Sequence, residues 1–294
     1  MSDFMPKLLM TGAKKYAKST KLLLKEAEEK FDSVEYVPVN DIILKLSEDD
    51  MGLKFNGHNL KDFDYCLPRI DSKRAPHGYF VIKYMEQLGV KKPYKAEAIH
   101  TVHNKFSTLL TMKKSNIPMP ATYLVSSINS AKKVLDKMNY PVVIKIVDSF
   151  GGAGVMMLDD KSSAKSAIET LKLLGRQIII EEFLTNKGED IRAFVVDGEI
   201  VASMKRVAKK GEMRANLFLG GRGEYISLKG EMEDVALRAA KTMGSDIIAI
   251  DLIESDDGPK VIEANLNPGI KGIQKITNIN VSRKIIDFCL KQAE

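Results

Sequence analysis

Residues 246–269 read DIIAIDLIESDDGPKVIEANLNPG, and the rest of the chain is interpreted around this stretch. Two apolar runs flank an Asp-Asp-Gly-Pro segment, which is a strong local signal for a β-hairpin. We place the loop at residues 255–259, so that Glu254 lies opposite Lys260. This register predicts which acidic side chains of the two strands meet.

The predicted register brings three oxygen-bearing side chains together. Asp251 lies directly opposite Glu263, and Asn265 shares the face of Glu263 because side chains alternate along a strand. Two unpaired carboxylates in an apolar setting would repel each other and would be costly to desolvate. A hard divalent cation removes that conflict, and Mg²⁺ held by a few such oxygens usually shares its shell with nucleotide phosphates. The alternative is an exposed hairpin with solvated acids, but the third ligand favours a metal site.

The composition is that of a globular protein built from two or three lobes. Of the 294 residues, 44% are hydrophobic and 29% are charged. No apolar run approaches the ~20 residues of a membrane span, and the N-terminus lacks a signal-peptide pattern. Cys66 and Cys289 stand singly without metal-like spacing, so we expect a reduced, cytoplasmic protein with no membrane partner. The net charge of +6 suits acidic ligands and does not by itself imply nucleic acid.

The first hundred residues predict a β-α-β unit and a following helix. Strands at 7–12 and near 35–39 flank a helix over 19–31, which is Rossmann-like in outline. The single glycine after the first strand is weak evidence for dinucleotide binding. A later strand, DYCLPRI, ends at Arg69, where open α/β sheets place ligands. A substrate contact and a surface salt bridge are equally good interpretations of that arginine. One continuous helix is predicted over 98–114.

A lysine and a glycine-rich turn predict a phosphate site. Lys145 lies in the middle of the strand VVIKI, with Ile144 and Ile146 on the opposite face. Burying its charge is expensive without an anionic partner. Residues 148–154 read DSFGGAG, and glycines allow backbone N–H groups to approach a phosphate closely. Such a loop alone is most often a turn, but together with the lysine it favours phosphate binding.

Two further stretches predict contacts with a nucleotide and its reacting group. Residues 178–183, IIIEEF, form a buried strand whose end can hold a base edge, with Phe183 against the ring and Asp190 near the ribose. An edge strand with exposed acids is the alternative. The basic stretch at 204–223 is interleaved with glycine and precedes the acidic site, so it can clamp a transferring phosphate or a carboxylate substrate rather than form a solvated face.

These pieces, in this order, resemble the ATP-grasp superfamily and, more closely, the RimK-type family of ATP-dependent α-L-glutamate ligases. The resemblance covers nearly the whole chain, and its motifs are LPRI at 67–70, HNKF at 103–106, PVVIKI at 141–146, IIIEEF at 178–183, DIRAFVVDGEIVA at 190–202, RAN at 214–216, IDLI at 250–253 and EANLNPGIKGIQKITNIN at 263–280. It implies an α/β fold with α+β lobes, namely an ATP-grasp fold preceded by a Rossmann-like pre-ATP-grasp lobe. The implied lobes are residues 1–98, 99–184 and 185–294.

The resemblance also implies a role for each matching residue. Nucleotide contacts are implied for Lys105, Lys145, Glu182, Phe183, Asp190, Arg214, Ala215 and Asn216. Magnesium, or manganese in its place, is implied at Asp251, Glu263 and Asn265. Lys145 and Arg214 are the implied catalytic residues, because phosphoryl transfer requires charge neutralisation more than a protein nucleophile. Arg69, Arg206 and Asn267 are the implied substrate contacts.

The implied reaction joins an amine to an acceptor carboxylate through an acylphosphate. Glutamate is the expected amine, and a protein C-terminus or the glutamyl tail of a pterin or deazaflavin coenzyme is the expected acceptor. Asn267 and Lys271 stand where members of the family carry a small hydroxyl residue and an acidic residue, respectively. These departures leave open a LysX-like ligase that joins another amino acid to a carrier protein. The family also implies a homodimer or homotetramer. A non-enzymatic nucleic-acid-binding module would leave the predicted hairpin register unexplained.

Overall fold

The computed structural model describes residues 5–147, 154–185, 188–209 and 221–294. In the N-terminal part, a parallel three-stranded sheet has the order β2-β1-β6, and a small antiparallel sheet has the order β3-β4-β5. The elements are β1 (Lys7–Gly12), α1 (Lys18–Glu28), β2 (Ser33–Pro38), β3 (Ile43–Leu46), β4 (Met51–Phe55), β5 (His58–Asn59), β6 (Tyr65–Arg69) and α2 (Ala75–Gln87). The predicted β-α-β unit is confirmed; the central strand β1 and its neighbour β6 are buried, whereas the edge strand β2 is mostly half-buried.

The second part of the chain is an antiparallel four-stranded sheet of order β7-β10-β8-β9, preceded by two helices. Its elements are α3 (Ala96–Val102), α4 (Lys105–Lys114), β7 (Thr122–Val125), α5 (Ile128–Leu135), β8 (Val142–Ile146), β9 (Val155–Leu158), α6 (Lys161–Leu173) and β10 (Ile178–Glu182). One face of the sheet packs on α5 and α6 through buried residues such as Leu135, Ile144, Ile168 and Ile180. The opposite face is therefore the one that can carry polar side chains toward a cleft.

The predicted continuous helix over 98–114 is wrong, because the helix is interrupted at Asn104. The backbone of Asn104 is extended, with φ −117° and ψ 109°, and its side chain accepts a hydrogen bond from the backbone N–H of Ser107. Asparagine is a strongly preferred N-cap because its side chain satisfies an N–H at the start of a helix. The interruption makes Lys105 the first residue of α4.

The third part is a five-stranded antiparallel sheet of order β13-β12-β11-β14-β15. Its elements are β11 (Glu189–Val196), β12 (Glu199–Val207), β13 (Arg222–Tyr225), α7 (Gly230–Met243), β14 (Ile247–Ser255), β15 (Gly258–Asn265), α8 (Ile270–Thr277) and α9 (Val281–Ala293). Helix α7 packs against β14 and β15, whereas α8 and α9 join the core that includes α1 and β1. The C-terminal helices thus attach this sheet to the N-terminal lobe.

The hairpin of β14 and β15 has the predicted pairing of Asp251 with Glu263, although the predicted loop is wrong. The turn is tighter, since Ser255 pairs with Gly258, and Glu254 pairs with Pro259 instead of Lys260. A bulge then restores the predicted register. Leu252 pairs with Val261 but Asp251 pairs with Glu263, so Ile262 is the extra residue on β15. A bulge inserts one residue into one strand, so it shifts the pairing beyond it by one.

No helix within the described ranges is both long enough and apolar enough to span a membrane.

Candidate active site

Two lysines from the second part of the chain each lie beside a carboxylate. Lys145 Nζ is 2.5 Å from Glu181 Oε2, and Lys105 Nζ is 3.7 Å from Glu263 Oε1. The first pair joins neighbouring strands of the four-stranded sheet, whereas the second pair connects α4 to the β14–β15 hairpin. The lysines thus lie where the two antiparallel sheets approach each other.

The position of Lys145 follows from strand alternation. Ile144 and Ile146 belong to the face that packs on α5 and α6, so Lys145 projects from the other face. Glu181, on the adjacent strand β10, is 3% exposed and supplies the anionic partner that a buried lysine requires. The sequence interpretation singled out Glu182 instead of Glu181. A search for an acid on the lysine-bearing face would have found this partner.

The start of α4 holds Lys105 close to the end of β8. Its backbone N–H donates a hydrogen bond to the carbonyl oxygen of Val147, 3.4 Å away. Burial lowers the pKa of the Lys105 ammonium, and the nearby charge of Lys145 adds to this effect, while Glu263 partly offsets it. The ammonium groups of Lys105 and Lys145 are near enough to interact, and both are suited to bind phosphate oxygens.

A buried network of ion pairs surrounds Asp251. Arg192 donates two parallel hydrogen bonds to its carboxylate, 2.7 Å from Nε to Oδ1 and 2.6 Å from Nη2 to Oδ2. Arg206 lies 3.0 Å from Oδ2 of the same group, and its Nε is 2.5 Å from Asp190 Oδ1. Strand register produces these contacts, since Arg192 pairs with Asp251 and Arg206 pairs with Asp190.

The network sets the charge states of its two acids. Burial alone would raise the pKa of Asp251, but Arg192 and Arg206 outweigh it and lower that pKa to about 2. Burial raises the pKa of Asp190, and the charge of Asp251 adds to this effect, while Arg206 opposes it. Asp251 is therefore a permanent anion at neutral pH. Sequence reasoning missed Arg192, although an arginine between Ile191 and Ala193 in an apolar strand carries the same signal as Lys145.

The predicted metal ligands Asp251, Glu263 and Asn265 fit a hard cation by their donor atoms. The Glu263 side chain is 33% exposed, and the amide nitrogen of Asn265 is buried with no hydrogen-bond partner within the described part of the chain. A buried N–H without a partner is costly, and an acceptor such as a phosphate oxygen would satisfy it. Among the described residues no group of three or more His, Cys, Asp and Glu side chains is arranged for a metal. A cation here would therefore be held by two carboxylates and by the amide oxygen of Asn265.

The predicted adenine contacts lie at the end of β10, where the carboxylate of Glu182 is already engaged. Lys260 Nζ lies 3.0 Å from Glu182 Oε1, and the backbone N–H of Glu182 donates to the carbonyl of Ala121 at 3.0 Å. Phe183 is partly buried and Leu184 is buried. Two apolar side chains therefore follow the strand, and the carboxylate and backbone N–H of Glu182 both contact the protein.

The predicted substrate contacts Arg69 and Asn267 lie in two segments that are hydrogen-bonded to each other. Arg69 is 5% exposed, and its Nη2 donates to the carbonyl oxygen of Pro268 at 2.9 Å. Asn267 Nδ2 donates to the carbonyl oxygen of Arg69 at 3.2 Å. Burial lowers the pKa of Arg69 to about 10, and its Nε lacks a hydrogen-bond partner among the residues described. The surface salt bridge considered for Arg69 is thus excluded.

Several predicted residues lie outside the described residues. They are Arg214, Ala215 and Asn216 of the basic stretch, and residues 148–153 of the glycine-rich turn.

Comparison with known proteins agrees with this architecture. The family model of the RimK PreATP-grasp domain matches residues 7–99, and that of the RimK-like ATP-grasp domain matches residues 102–289. A probable α-L-glutamate ligase of Hydrogenovibrio crunogenus is 34% identical over 98% of this chain and 95% of its own length. A probable α-L-glutamate ligase of Legionella pneumophila is 37% identical over 81% of this chain and 80% of its own length.

A solved structure shares the fold at lower sequence identity. The ATP-grasp ligase PsnB, complexed with a phosphomimetic variant of its minimal precursor, Mg and ADP, superposes with a TM-score of 0.74 at 16% identity, covering 98% of each chain. The fold and the cleft thus define an ATP-grasp enzyme, an ATP-dependent ligase. Within that class the chain belongs to the RimK-type family, which confirms the predicted family, fold class and enzyme class.

Proposed function

We propose that this protein uses Mg-ATP to join L-glutamate, through its amine, to the carboxylate of an acidic acceptor. The observation that carries the proposal is the convergence of Lys105, Lys145 and Glu263 beside the buried carboxylate of Asp251. Lys145 of β8 and Lys105 at the start of α4 lie on one side of the junction between the two antiparallel sheets, and Glu263 and Asp251 of the five-stranded sheet lie on the other. Such an arrangement is suited to a metal-bound triphosphate held between two lobes.

The charge balance of the site implies that a triphosphate would bind together with a cation. Among the described residues, the four cations Lys105, Lys145, Arg192 and Arg206 are matched by the four anions Glu181, Asp190, Asp251 and Glu263. A site that is neutral by itself accepts a triphosphate only if further positive charge arrives with it. Magnesium at Asp251, Glu263 and Asn265 would supply part of this charge and polarise the transferring phosphate. Arg214 is proposed to supply the rest, and Asn216 is proposed as a further contact to the nucleotide.

The proposed reaction has two steps. An oxygen of the acceptor carboxylate attacks the γ-phosphorus, which breaks the bond to the β-phosphate and forms an acylphosphate with release of ADP. The amine of glutamate then attacks the acyl carbon, phosphate leaves, and the amine loses a proton as the amide forms. Lys105 and Lys145 hold the phosphate oxygens in position, since such transfers depend on positioning and charge neutralisation.

The remaining site residues are proposed to bind the base, the ribose and the substrates. Phe183 is proposed to support adenine, and Asp190, which is paired with Arg206 in this structure, is proposed to contact the ribose. Arg69 and Asn267 join the N-terminal lobe to the segment after β15, and they are proposed to contact the acceptor. Ala215 belongs to the proposed nucleotide contacts, and Arg206 acts through the carboxylates that it binds.

Glutamate is proposed as the amine because both relatives compared here are probable α-L-glutamate ligases. The acceptor is proposed to be a protein C-terminus or the glutamyl tail of a pterin or deazaflavin coenzyme, and the enzyme to act in the cytoplasm as a homo-oligomer. ADP release tests the reaction, with the candidate acceptor and each of a panel of amino acids supplied in turn. The proposal expects sustained ADP release, over many turnovers, only when acceptor and glutamate are both present. Release that is supported equally well by lysine, or that is independent of any amino acid, contradicts it.

A further inference from the structure

The four-stranded sheet is attached to the rest of the protein by two segments that lie side by side. The chain enters this sheet through the residues before Thr122 and leaves it after Glu182. The backbone N–H of Glu182 donates to the carbonyl oxygen of Ala121 at 3.0 Å, so the two segments are hydrogen-bonded to each other. Any change in the angle between the sheets must act on this pair of segments, which we call the hinge.

Two consecutive residues of β15 hold both segments of the hinge. The backbone N–H of Val261 donates to the carbonyl oxygen of Pro118 at 2.9 Å on the entering side. On the leaving side, Lys260 Nζ donates to Glu182 Oε1 at 3.0 Å. The Lys260 side chain is only 16% exposed, and the other carboxylate near it, that of Asp257, is farther away at 3.8 Å and 86% exposed.

The ion pair therefore connects the sheet that carries Lys145 to the strand that carries Glu263. Lys260 lies three residues before Glu263 on β15, and Glu182 follows Glu181 on β10. Because this ion pair lies close to both Lys145 and Glu263, it restrains the distance between them before a ligand binds. A cleft that is held in its binding geometry loses less conformational freedom when a ligand binds, which increases affinity.

We propose that Lys260 is a positioning residue for the nucleotide: its ion pair with Glu182 fixes the hinge, and so sets the affinity of the cleft for ATP. The inference rests on the proposed function for the identity of the ligand. The part of the inference that concerns the restraint of the hinge by the ion pair does not depend on any ligand. A long side chain is needed because the ion pair spans the two sheets. The aliphatic part of the Lys260 side chain is mostly buried, while its ammonium group contacts the Glu182 carboxylate.

The test compares three variants of the full chain. Lys260→Met keeps the length of the apolar stem and removes the charge, whereas Lys260→Arg keeps the charge. Lys291→Met is the control away from the hinge, because Lys291 of α9 forms a more exposed ion pair of 2.9 Å with Asp197 in the turn between β11 and β12. Amide hydrogen exchange of residues 119–122 and 181–184 is measured without ligand. The KM values for ATP and glutamate and kcat are measured in the ligation assay.

The inference expects faster exchange at the hinge in Lys260→Met, a KM for ATP raised by about fivefold, and an unchanged kcat and KM for glutamate. Lys260→Arg and Lys291→Met should match the unmodified protein. Unchanged hinge exchange and an unchanged KM for ATP in Lys260→Met would overturn the inference while leaving the proposed function intact. An equal effect in Lys291→Met would overturn it as well. If no glutamate is ligated, nucleotide binding replaces KM as the readout, so failure of the proposed function is recognised separately.

Discussion

Arg192 and Asp251 face each other on adjacent strands and are joined by two parallel hydrogen bonds of 2.7 and 2.6 Å. Such a fork is the strongest geometry available to an arginine and a carboxylate. Because Asp251 is 1% exposed, its charge would be costly to bury without this partner. The pair therefore contributes to holding Asp251 as a preformed anion beside Glu263.

Replacing Arg192 is expected to destabilise the protein. Arg192→Met leaves the buried Asp251 with Arg206 as its remaining charged partner in the described structure, which should lower the free energy of unfolding by ~3 kcal/mol. Urea unfolding monitored by circular dichroism measures this change. Arg238→Met is the control, since Arg238 pairs with Asp234 on an exposed helix face and its loss should cost under ~1 kcal/mol. Equal effects of the two substitutions would contradict the buried-network account.

The Lys145–Glu181 pair permits stability and ATP binding to be separated. Glu181→Leu should be strongly destabilising because it strands the ammonium of Lys145 in a buried position. The double variant Lys145→Met/Glu181→Leu should recover most of that loss, since an apolar pair of similar volume replaces a buried ion pair. The double variant should still fail to bind ATP, as calorimetric titration would show. Tight ATP binding by a stable double variant would exclude Lys145 as a phosphate contact.

The proposed metal site on the β14–β15 hairpin predicts that ATP binding depends on Mg²⁺ through Glu263 and Asn265. Glu263→Gln and Asn265→Ala should each weaken ATP binding in the presence of Mg²⁺ by at least about tenfold, because the first removes the negative charge of a proposed ligand and the second removes a proposed oxygen ligand. Chelation of Mg²⁺ by EDTA should weaken binding to the unmodified protein similarly. Glu254→Gln is the control on the same hairpin, because Glu254 is exposed and pairs with Pro259. Unchanged Mg²⁺ dependence in both ligand variants would refute this metal site.

The hinge ion pair predicts a stability difference that depends on pH. Burial alone would raise the pKa of Glu182, but the Ala121 backbone and Lys260 outweigh it and lower the pKa below its ordinary value. A depressed pKa means that the contribution is complete above the unfolded-state value near 4.5 and is lost as pH falls through the folded-state value. The side chain is 37% exposed, so screening keeps the contribution under ~1 kcal/mol. Thermal melts of the unmodified protein and Glu182→Gln should differ at pH 6 to 7, and the difference should shrink below about pH 4.5. A difference that grows in acid would contradict the assignment.

Strand alternation made much of the site predictable from sequence. Lys145 projects away from the core formed by Ile144, and Asp251 pairs with Glu263, as the pattern indicated. The second prediction succeeded although the loop was misplaced, because the shorter turn and the bulge cancel each other in register. A bulge has no reliable local signal in an apolar strand, so this compensation was not visible in the residues.

The partners of the charged residues were harder to predict, because they depend on which strands become neighbours. Arg192 reaches Asp251 only because β11 lies beside β14, and Lys260 reaches Glu182 only because two sheets meet at the hinge. Sequence spacing does not encode those distances. The interruption of the helix at Asn104 does have a local signal in the sequence, since asparagine caps a helix more readily than it continues one. The lobe boundaries and the role of each site residue stay predictions.

The most direct test of the central claim is mass spectrometry of candidate acceptors after incubation with the protein, Mg-ATP and glutamate. The account predicts that one acceptor gains whole glutamyl residues, that the gain requires ATP, and that Glu263→Gln abolishes it. An unmodified set of acceptors, with ATP hydrolysed at the same rate whether or not glutamate is present, would contradict the account.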